Sequence, residues 1–243
     1  FEYQDTPDQA LGWGEISRDL EKDQPMYRLL CGDVGFGKTE LSIRASFRVV
    51  INGGQVLVLA PTSVLANQHF AVFKNRLSGF GVSVRLCVGS LSETKKQSLK
   101  SSWVEKKIDV LIGTSSVLYD AVFIKHTNLF IVDEEHRFGV KDKEGVLDGF
   151  VNKDVLLMSA TPIPRSLNLS LSGLNDISTL GSPPVLRKPI QTFVNYFDNK
   201  LIIRAVEFEI DRGGQVFFVH NNIGSIVSIK SVLSRLVPRA SIT

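Results

Sequence analysis

Positions 32–39 read Gly32-Asp33-Val34-Gly35-Phe36-Gly37-Lys38-Thr39, a full match to the pattern G-x-x-x-x-G-K-[ST]. An apolar segment at 27–31 precedes this motif, and a helical pattern at 38–50 follows it. In such a loop the glycines let backbone N–H groups turn towards phosphate oxygens, and the helix N-terminus adds a positive dipole. Lys38 then reaches the β- and γ-phosphates, and the Thr39 hydroxyl holds Mg²⁺. A flexible glycine turn would explain the glycines but not the Lys-Thr pair, so we expect residues 32–39 to bind a nucleotide.

Short apolar segments alternate with helix-length segments along the chain. This alternation predicts an α/β fold with a parallel sheet and helices on both faces. The predicted strands, mostly rich in Val, Ile and Leu as doubly buried strands are, lie at 27–31, 56–60, 82–87, 108–112, 129–132 and 155–158. The predicted helices lie at 38–50, 64–77, 93–105 and, more weakly, 140–150. Another helix should run to about residue 20 from the capping-box pattern Thr6-Pro7-Asp8-Gln9.

The clearest linker pattern is Gly181-Ser182-Pro183-Pro184. We therefore expect one domain at 1–184 and the incomplete beginning of a second α/β domain at 185–243, with strands at 190–196 and 215–220 and helices at 199–211 and 226–236. About 55 residues are too few to bury a good core alone. An internal echo supports this division, because 52–59 and 212–219 each place a glycine helix stop before an apolar segment. Ordinary reuse of such turns in α/β proteins explains the echo equally well.

Composition narrows the class of protein. The chain is 43% apolar and 22% charged, as folded globular proteins usually are. Its apolar runs fall far short of the ~20 residues of a membrane-spanning helix. Two cysteines, Cys31 and Cys87, make no disulfide framework and have no metal-ligand spacing, which favours a reducing compartment. A net charge of +3 is too small to indicate nucleic-acid binding by itself.

An acidic cluster, Asp133-Glu134-Glu135-His136, follows the predicted strand 129–132. The carboxyl end of a parallel strand is where open α/β sheets bind ligands. Asp133 would support Mg²⁺ there, and Glu134 would orient or deprotonate an attacking water. Acidic residues after a strand are often only a solvated loop, but a phosphate loop on the same sheet favours the catalytic interpretation.

The predicted strand 155–158 leads into Ser159-Ala160-Thr161-Pro162. The two hydroxyls could bond the acidic cluster and relay the state of the nucleotide to another surface. A Ser/Thr turn that enters a helix through Pro is equally good local physics. Only the combination of this motif with the two preceding ones favours the functional interpretation.

The three motifs, in this order, resemble motifs I, II and III of the superfamily 2 helicases and translocases. The longer strings at 31–40, 133–140 and 159–165 are similar to the motors of the transcription-repair-coupling factors and of their plastid relatives, with the RecG branched-DNA helicases next. Phe36 and Glu135 fit the first group better, since RecG members typically carry Ser and Gln there. The resemblance covers nearly the whole chain.

This resemblance implies a RecA-like lobe at 1–184 and the start of a second RecA-like lobe at 185–243. It implies an ATP hydrolase that uses ATP and Mg²⁺ to move along double-stranded DNA, without sequence preference, during DNA repair. It further implies RNA polymerase as a partner, contacted through regions absent from this sequence, no membrane partner, and an intracellular location in a bacterial cytoplasm or a plastid. A RecG-like helicase of branched DNA and a nucleotide-dependent binding switch without motor activity are the alternatives, although the switch leaves Ser159 and Thr161 unexplained.

The resemblance also assigns roles to residues outside the phosphate loop. Phe1 and Gln9 match the family's Q motif, in which the glutamine reads the adenine edge, although the capping box already gives Gln9 a structural role. His136 would couple the nucleotide site to Ser159 and Thr161. Two loops match those that contact the DNA backbone in relatives, where ordinary strand-to-helix turns are the alternative; their residues are Pro61, Thr62, Gly113 and Thr114.

The family's second lobe carries arginines that reach the γ-phosphate across the cleft. Nothing in this sequence resembles their Gln-x-x-Gly-Arg-x-Gly-Arg motif. Such an arginine contributes about 10³–10⁵ in rate in comparable sites, so we expect this chain alone to hydrolyse ATP poorly. The remaining histidines, His69, His126 and His220, show no spacing typical of a metal site.

Overall fold

The computed structural model describes residues 4–89, 91–134, 152–160, 176–184 and 190–243. The predicted roles of Phe1, His136 and Thr161, the preference based on Glu135, and the predicted helix 140–150 lie outside the described residues. The chain divides into two units, residues 1–187 and 188–243, each described here by itself.

The first unit contains five described helices and seven described strands. The helices are α1 (Pro7–Asp19), α2 (Lys38–Ile51), α3 (Ser63–Leu77), α4 (Glu93–Val104) and α5 (Ala121–His126). The strands are β1 (Tyr27–Gly32), β2 (Val56–Leu59), β3 (Val84–Cys87), β4 (Val110–Gly113), β5 (Leu129–Asp133), β6 (Asp154–Ser159) and β7 (Asp176–Leu180). Short 3₁₀ turns lie at Ser78–Phe80 and Ser115–Tyr119.

All seven strands join one parallel sheet in the order β3-β4-β2-β5-β6-β1-β7. Both faces are covered, which is why the central strands are apolar at every position. In β2, Val56 and Val58 face a core that includes residues of α1, α2 and α3. The alternate residues Leu57 and Leu59 face a second core that includes residues of α4 and α5. The predicted α/β fold with helices on both faces is confirmed.

The six predicted strands of this unit all form, with ends that shift by at most two residues. The sequence did not reveal β7 or α5. Only two of the five residues of β7 are buried, so it lacks the continuous apolar run that marks the inner strands. Helix α5 has six residues, too few to show a helical period.

Arg28 fixes α1 to the sheet. Its Nε donates to Asp19 Oδ2 at 2.6 Å, and its Nη1 donates to Ser178 Oγ of β7 at 2.9 Å. Burial alone would raise the pKa of Asp19, but hydrogen bonds from Arg28 and Lys22 lower that pKa below its usual value. The helix that carries Gln9 therefore has a defined position beside β1.

The second unit contains α6 (Asn199–Asp211), α7 (Ile226–Leu236) and a 3₁₀ turn at Ile223–Ser225. The predicted helices 199–211 and 226–236 are thus confirmed, but the predicted strands at 190–196 and 215–220 are wrong, since neither segment is assigned to a strand. The side chains of Val194 and Phe217 are both 92% exposed. A strand needs a neighbour for its backbone hydrogen bonds, and no described segment of this unit pairs with these two.

The two glycine helix stops have the same geometry. Gly53 has φ +80° and Gly213 has φ +73°, the left-handed region that favours glycine. After each, the next N–H reaches back to a carbonyl five residues earlier, with Gly54 bonding Val49 at 3.0 Å and Gly214 bonding Glu209 at 2.7 Å. A strand, β2, follows the helix end at Gly53, but none follows that at Gly213 among the described residues. The similarity between 52–59 and 212–219 is therefore limited to the helix ends.

None of the described helices is long and apolar enough to cross a membrane.

Candidate functional site

The sheet order brings the phosphate loop and the acidic cluster to one edge. Strands β5, β6 and β1 are parallel neighbours, so their carboxyl ends point the same way. Asp133 at the end of β5 lies opposite Met158, and Cys31 of β1 lies opposite Ser159 at the end of β6. Two strand spacings separate β5 from β1, which is about 10 Å. A single nucleotide can therefore contact the groups that follow both strands.

The loop at 32–39 turns sharply before α2. Gly35 and Gly37 have φ values of +81° and +94°, and the Phe36 N–H donates to the Asp33 carbonyl at 3.2 Å. Gly37 is the N-cap of α2, and no side chain of the described residues caps this helix. N–H groups of a first helical turn have no partner within the helix, so this end of α2 suits a bound anion.

Lys38 lies back across its own loop. Its Nζ donates to the carbonyl oxygens of Gly32 at 2.5 Å and Asp33 at 3.2 Å. Burial lowers the pKa of Lys38 below its usual value, while the negative charges of Glu134, Asp133 and Asp33 act in the opposite direction. The ammonium group therefore experiences the field of both acidic residues at the end of β5.

Asp133 has a partner that the sequence reasoning missed. The Nε2–H of His69, in α3, donates to Asp133 Oδ2 at 2.7 Å, and the histidine is only 8% exposed. A signal was present in the sequence. The buried residues of α3 are Ala66, His69, Phe73 and Leu77, so one polar residue stands in an otherwise apolar stripe. A polar group in such a position needs a buried partner.

Glu134 leaves the sheet edge in an uncommon backbone conformation. Its φ is +51°, and its N–H donates to the Met158 carbonyl at 2.9 Å. Few residues other than glycine adopt this region, and those that do cluster at functional sites. At Glu134 the backbone therefore departs from the extended conformation of β5, which ends at Asp133.

Gln9 has the capping role and also contacts the phosphate loop. Its backbone N–H donates to Thr6 Oγ1 at 3.2 Å, and its Oε1 accepts from the Thr6 N–H at 3.0 Å, which completes the capping box. Its Nε2 donates to the Phe36 carbonyl at 2.8 Å. The helix cap thus holds the Gln9 amide against the middle of the loop at 32–39.

The two loops with an implied DNA role lie at the same sheet edge, after the neighbouring strands β2 and β4. Thr62 is exposed and its Oγ1 caps α3 by accepting from the Leu65 N–H at 3.2 Å. The Thr114 hydroxyl bonds that of Ser116 at 3.1 Å. A side chain at Gly113 would collide with Val117, so the glycine is required by packing. Pro61 precedes Thr62 and is partly exposed.

Ser159 is the last residue of β6 and is 4% exposed. It lies between the phosphate loop and the acidic cluster because β6 is the strand between β1 and β5. In the described ranges no three His, Cys, Asp or Glu side chains form a metal-ligand group. A site of one hydroxyl and one carboxylate suits Mg²⁺, which usually keeps several waters and binds substrate phosphates.

Gly37→Ala tests the contact between Gln9 and the loop. A Cβ at Gly37 would overlap the Gln9 amide nitrogen, and the φ of +94° adds about 1–2 kcal/mol of backbone strain for an alanine. We expect Gly37→Ala to lower the free energy of unfolding by more than this strain alone, as measured by chemical denaturation.

The matched control is Gly53→Ala, because Gly53 has a similar φ and no atom within 4 Å of the added Cβ. That variant should show the backbone cost alone. Equal losses of stability in the two variants would mean that the Gln9 contact contributes nothing. Because Gln9→Ala also removes the capping box, it is measured alone and together with Gly37→Ala. The double variant should lose less stability than the sum of the two single variants, by the part that is due to overlap.

Comparison with known proteins identifies similar sequences and folds. A model of the DEAD/DEAH box helicase family matches residues 6–169. The transcription-repair-coupling factor of Myxococcus xanthus is 46% identical over the whole chain, and that of Escherichia coli K12 is 42% identical. The chain spans about a fifth of the length of these relatives, 20% and 21%.

Solved structures with similar folds include those of two helicases. RecG bound to a three-way DNA junction has a TM-score of 0.80 and 35% identity, over 97% of this chain and 32% of that one. The DUF1998 helicase MrfA has a TM-score of 0.66 over 100% of this chain and 40% of that one, at 13% identity. The second likeness concerns the fold alone.

Proposed function

Because this chain belongs to the DEAD/DEAH box helicase family, we propose that it is the ATP-binding part of a double-stranded DNA translocase of the transcription-repair-coupling type. In this proposal residues 1–184 form the first RecA-like lobe and 185–243 begin the second. ATP hydrolysis drives movement along DNA in repair.

The observation that carries the proposal is the sheet order, which brings the loop that contains Lys38 and the acidic pair Asp133 and Glu134 to one edge. The charges of Glu134 and Asp133 act on the Lys38 ammonium, which has been partly removed from water. Such an arrangement suits a triphosphate, whose negative oxygens Lys38 would bind when they displace its present contacts with the loop carbonyls. It also suits a divalent cation beside Asp133.

The residues present fit Mg²⁺, which would be held by Thr39 and Asp133. When bound, Mg²⁺ neutralises charge on the phosphate oxygens. Glu134 would accept the proton of the attacking water, and the backbone N–H groups of residues 32–39 would orient the phosphates. Gln9, with Phe1, would contact the adenine.

Coupling between the nucleotide and DNA is proposed for the residues along the same edge. Ser159 lies beside the acidic cluster, and with His136 and Thr161 it would relay the state of the nucleotide. The loops containing Pro61, Thr62, Gly113 and Thr114 would contact DNA phosphates, since hydroxyl and N–H groups bind phosphates without reading bases. Arginines of a complete second lobe would then stabilise the transferred phosphoryl group, and RNA polymerase would be the protein partner.

The test is ATP turnover by the full-length protein that contains this chain, called the native polypeptide below. Turnover is measured with linear duplex, forked DNA or no DNA, at two salt concentrations. We expect linear duplex to stimulate turnover above the rate measured without DNA. Stimulation should weaken steeply with salt, because phosphate contacts release counterions. No response to DNA would contradict the proposal and favour a nucleotide-dependent binding switch.

A RecG-like helicase of branched DNA is the second candidate. The likeness to RecG at a TM-score of 0.80 favours it, whereas identities of 42–46% to transcription-repair-coupling factors exceed the 35% identity to RecG. Strong preference for forked over linear DNA in the same assay would decide for this candidate.

A further inference from the structure

We propose that His69 is a positioning residue that holds the Asp133 carboxylate in its metal-binding orientation. This role rests on the proposed nucleotide site, and it gives the buried histidine of α3 a function in that site.

The contact between the two side chains is short and protected from water. His69 Nε2 lies 2.7 Å from Asp133 Oδ2, and the side chains are 9% and 14% exposed. The residues are 64 positions apart, so the bond joins α3 to the end of β5. A hydrogen bond to a carboxylate at this distance is of the strong, charge-assisted kind.

The imidazole also packs against the core. Its ring stands edge-on to Phe73, with centroids 6.3 Å apart and planes at 77°. Phe73 is fully buried in the core beneath α3. The His69 ring is therefore buried against the core on one side and bonded to Asp133 through Nε2.

Helix α3 is also attached to the phosphate-loop helix. Arg76 Nη2 donates to both carboxylate oxygens of Glu40, at 2.8 and 3.0 Å. Glu40 directly follows Thr39 in the first turn of α2. Helix α3 is thus bonded both to Asp133 at the end of β5 and to the first turn of α2, which carries Thr39.

The chemical consequence concerns the two oxygens of Asp133. A carboxylate only accepts hydrogen bonds or binds cations, and His69 engages Oδ2. With that oxygen anchored, rotation of the carboxylate is restricted and the other oxygen is presented in one orientation. Groups that hold a metal ligand in this way typically contribute 10–100-fold to metal affinity or activity.

A purely structural role is the competing explanation, because a buried histidine needs a partner wherever it lies. The two explanations differ for the metal. A structural role predicts loss of stability alone, whereas a positioning role predicts weaker metal binding in a protein that remains folded.

The experiment uses the native polypeptide with His69→Leu, which keeps apolar bulk against Phe73 but removes the donor, and His69→Gln, which retains an N–H donor. His69→Ala is the second donor-free variant should the leucine variant fail to fold. Mn²⁺ binding is measured by electron paramagnetic resonance with a non-hydrolysable ATP analogue, and analogue binding is measured separately in EDTA. The same substitution at His126, a partly exposed histidine at the end of α5, is the matched control.

We expect His69→Leu to weaken Mn²⁺ binding by about 10–100-fold and to leave analogue binding in EDTA unchanged. His69→Gln should recover most of the loss, and His126→Leu should behave as the parent. Parental Mn²⁺ affinity in the donor-free variants, or no recovery with His69→Gln, would overturn the inference about His69 but not the proposed function. A parent protein that binds no analogue would instead overturn the proposed function.

Discussion

Lys38→Ala is expected to lower ATP turnover by the native polypeptide about 10²–10³-fold, the usual cost of removing one preorganised charge partner of a reacting oxyanion. Lys38 is the positively charged residue of the loop at 32–39. The negative charges of Glu134 and Asp133 act on its ammonium group. Alanine removes the ammonium that would bind the β- and γ-phosphates. Steady-state turnover with saturating DNA is the measurement.

The fold should survive this change. Among the described residues, the Lys38 ammonium donates hydrogen bonds to the carbonyls of Gly32 and Asp33 at the rim of the sheet. Lys38 belongs to neither core. The far-ultraviolet circular dichroism of the variant should therefore match that of the parent. Lys95→Ala, on the exposed side of α4, is the control and should turn over ATP at the parental rate. Retained activity in Lys38→Ala would remove Lys38 from its proposed role.

Glu134→Gln is expected to bind ATP normally and to hydrolyse it about 10²–10⁴-fold more slowly, the contribution of a positioned general base. Glutamine has nearly the same shape but accepts a proton far less readily than a carboxylate. The backbone turn at φ +51° should persist, since its hydrogen bond to Met158 uses the main chain. Single-turnover hydrolysis and nucleotide binding, measured on one preparation, separate the two effects.

The control for the second variant is Glu93→Gln, in the exposed first turn of α4. This change removes one carboxylate of the same size far from the phosphate loop in sequence and should leave hydrolysis unchanged. If Glu134→Gln hydrolysed ATP at the parental rate, another group would have to accept the proton of the water. If it lost nucleotide binding instead, Glu134 would have a binding role.

The parts of the fold that the sequence predicted are those in which local pattern and tertiary burial agree. Strands β2 and β5 are apolar at nearly every position because both faces are covered, so their composition alone marks them. The helix ends were similarly readable, since Thr6 with Gln9 and the glycine pair after α2 act within four or five residues. The resemblance to superfamily 2 helicases, based on three short motifs, is confirmed by the family match.

The strand predictions failed where a strand depends on a partner that is distant in the sequence. The apolar segments at 190–196 and 215–220 have strand-like composition, but composition cannot supply the neighbour that a strand requires. Strand β7 shows the opposite case, because pairing with β1 makes a strand of a segment with mixed polarity.

The candidate site was predicted unevenly for the same reason. Lys38 and Asp133 lie in motifs whose chemistry is local, so their types and spacing were informative. His69 reaches Asp133 across 64 residues. The apolar stripe of α3 marks His69 as a residue that needs a buried partner, but spacing along the chain does not identify Asp133 as that partner. For Gln9, the capping role was predictable because it depends on the four residues 6–9. Its hydrogen bond to the Phe36 carbonyl was not, because the two residues are 27 positions apart.

Strand β6, which lies between β5 and β1, sets the distance between the acidic residues and the phosphate loop. Because the separation of the two flanking strands is set by the repeat of backbone hydrogen bonds, substitutions in the turns beyond them can change which groups stand at the rim but cannot alter the span. A larger or smaller ligand between the ends of β5 and β1 would require side chains of a different length, for example glutamate in place of aspartate. The distance between the two strands would not change.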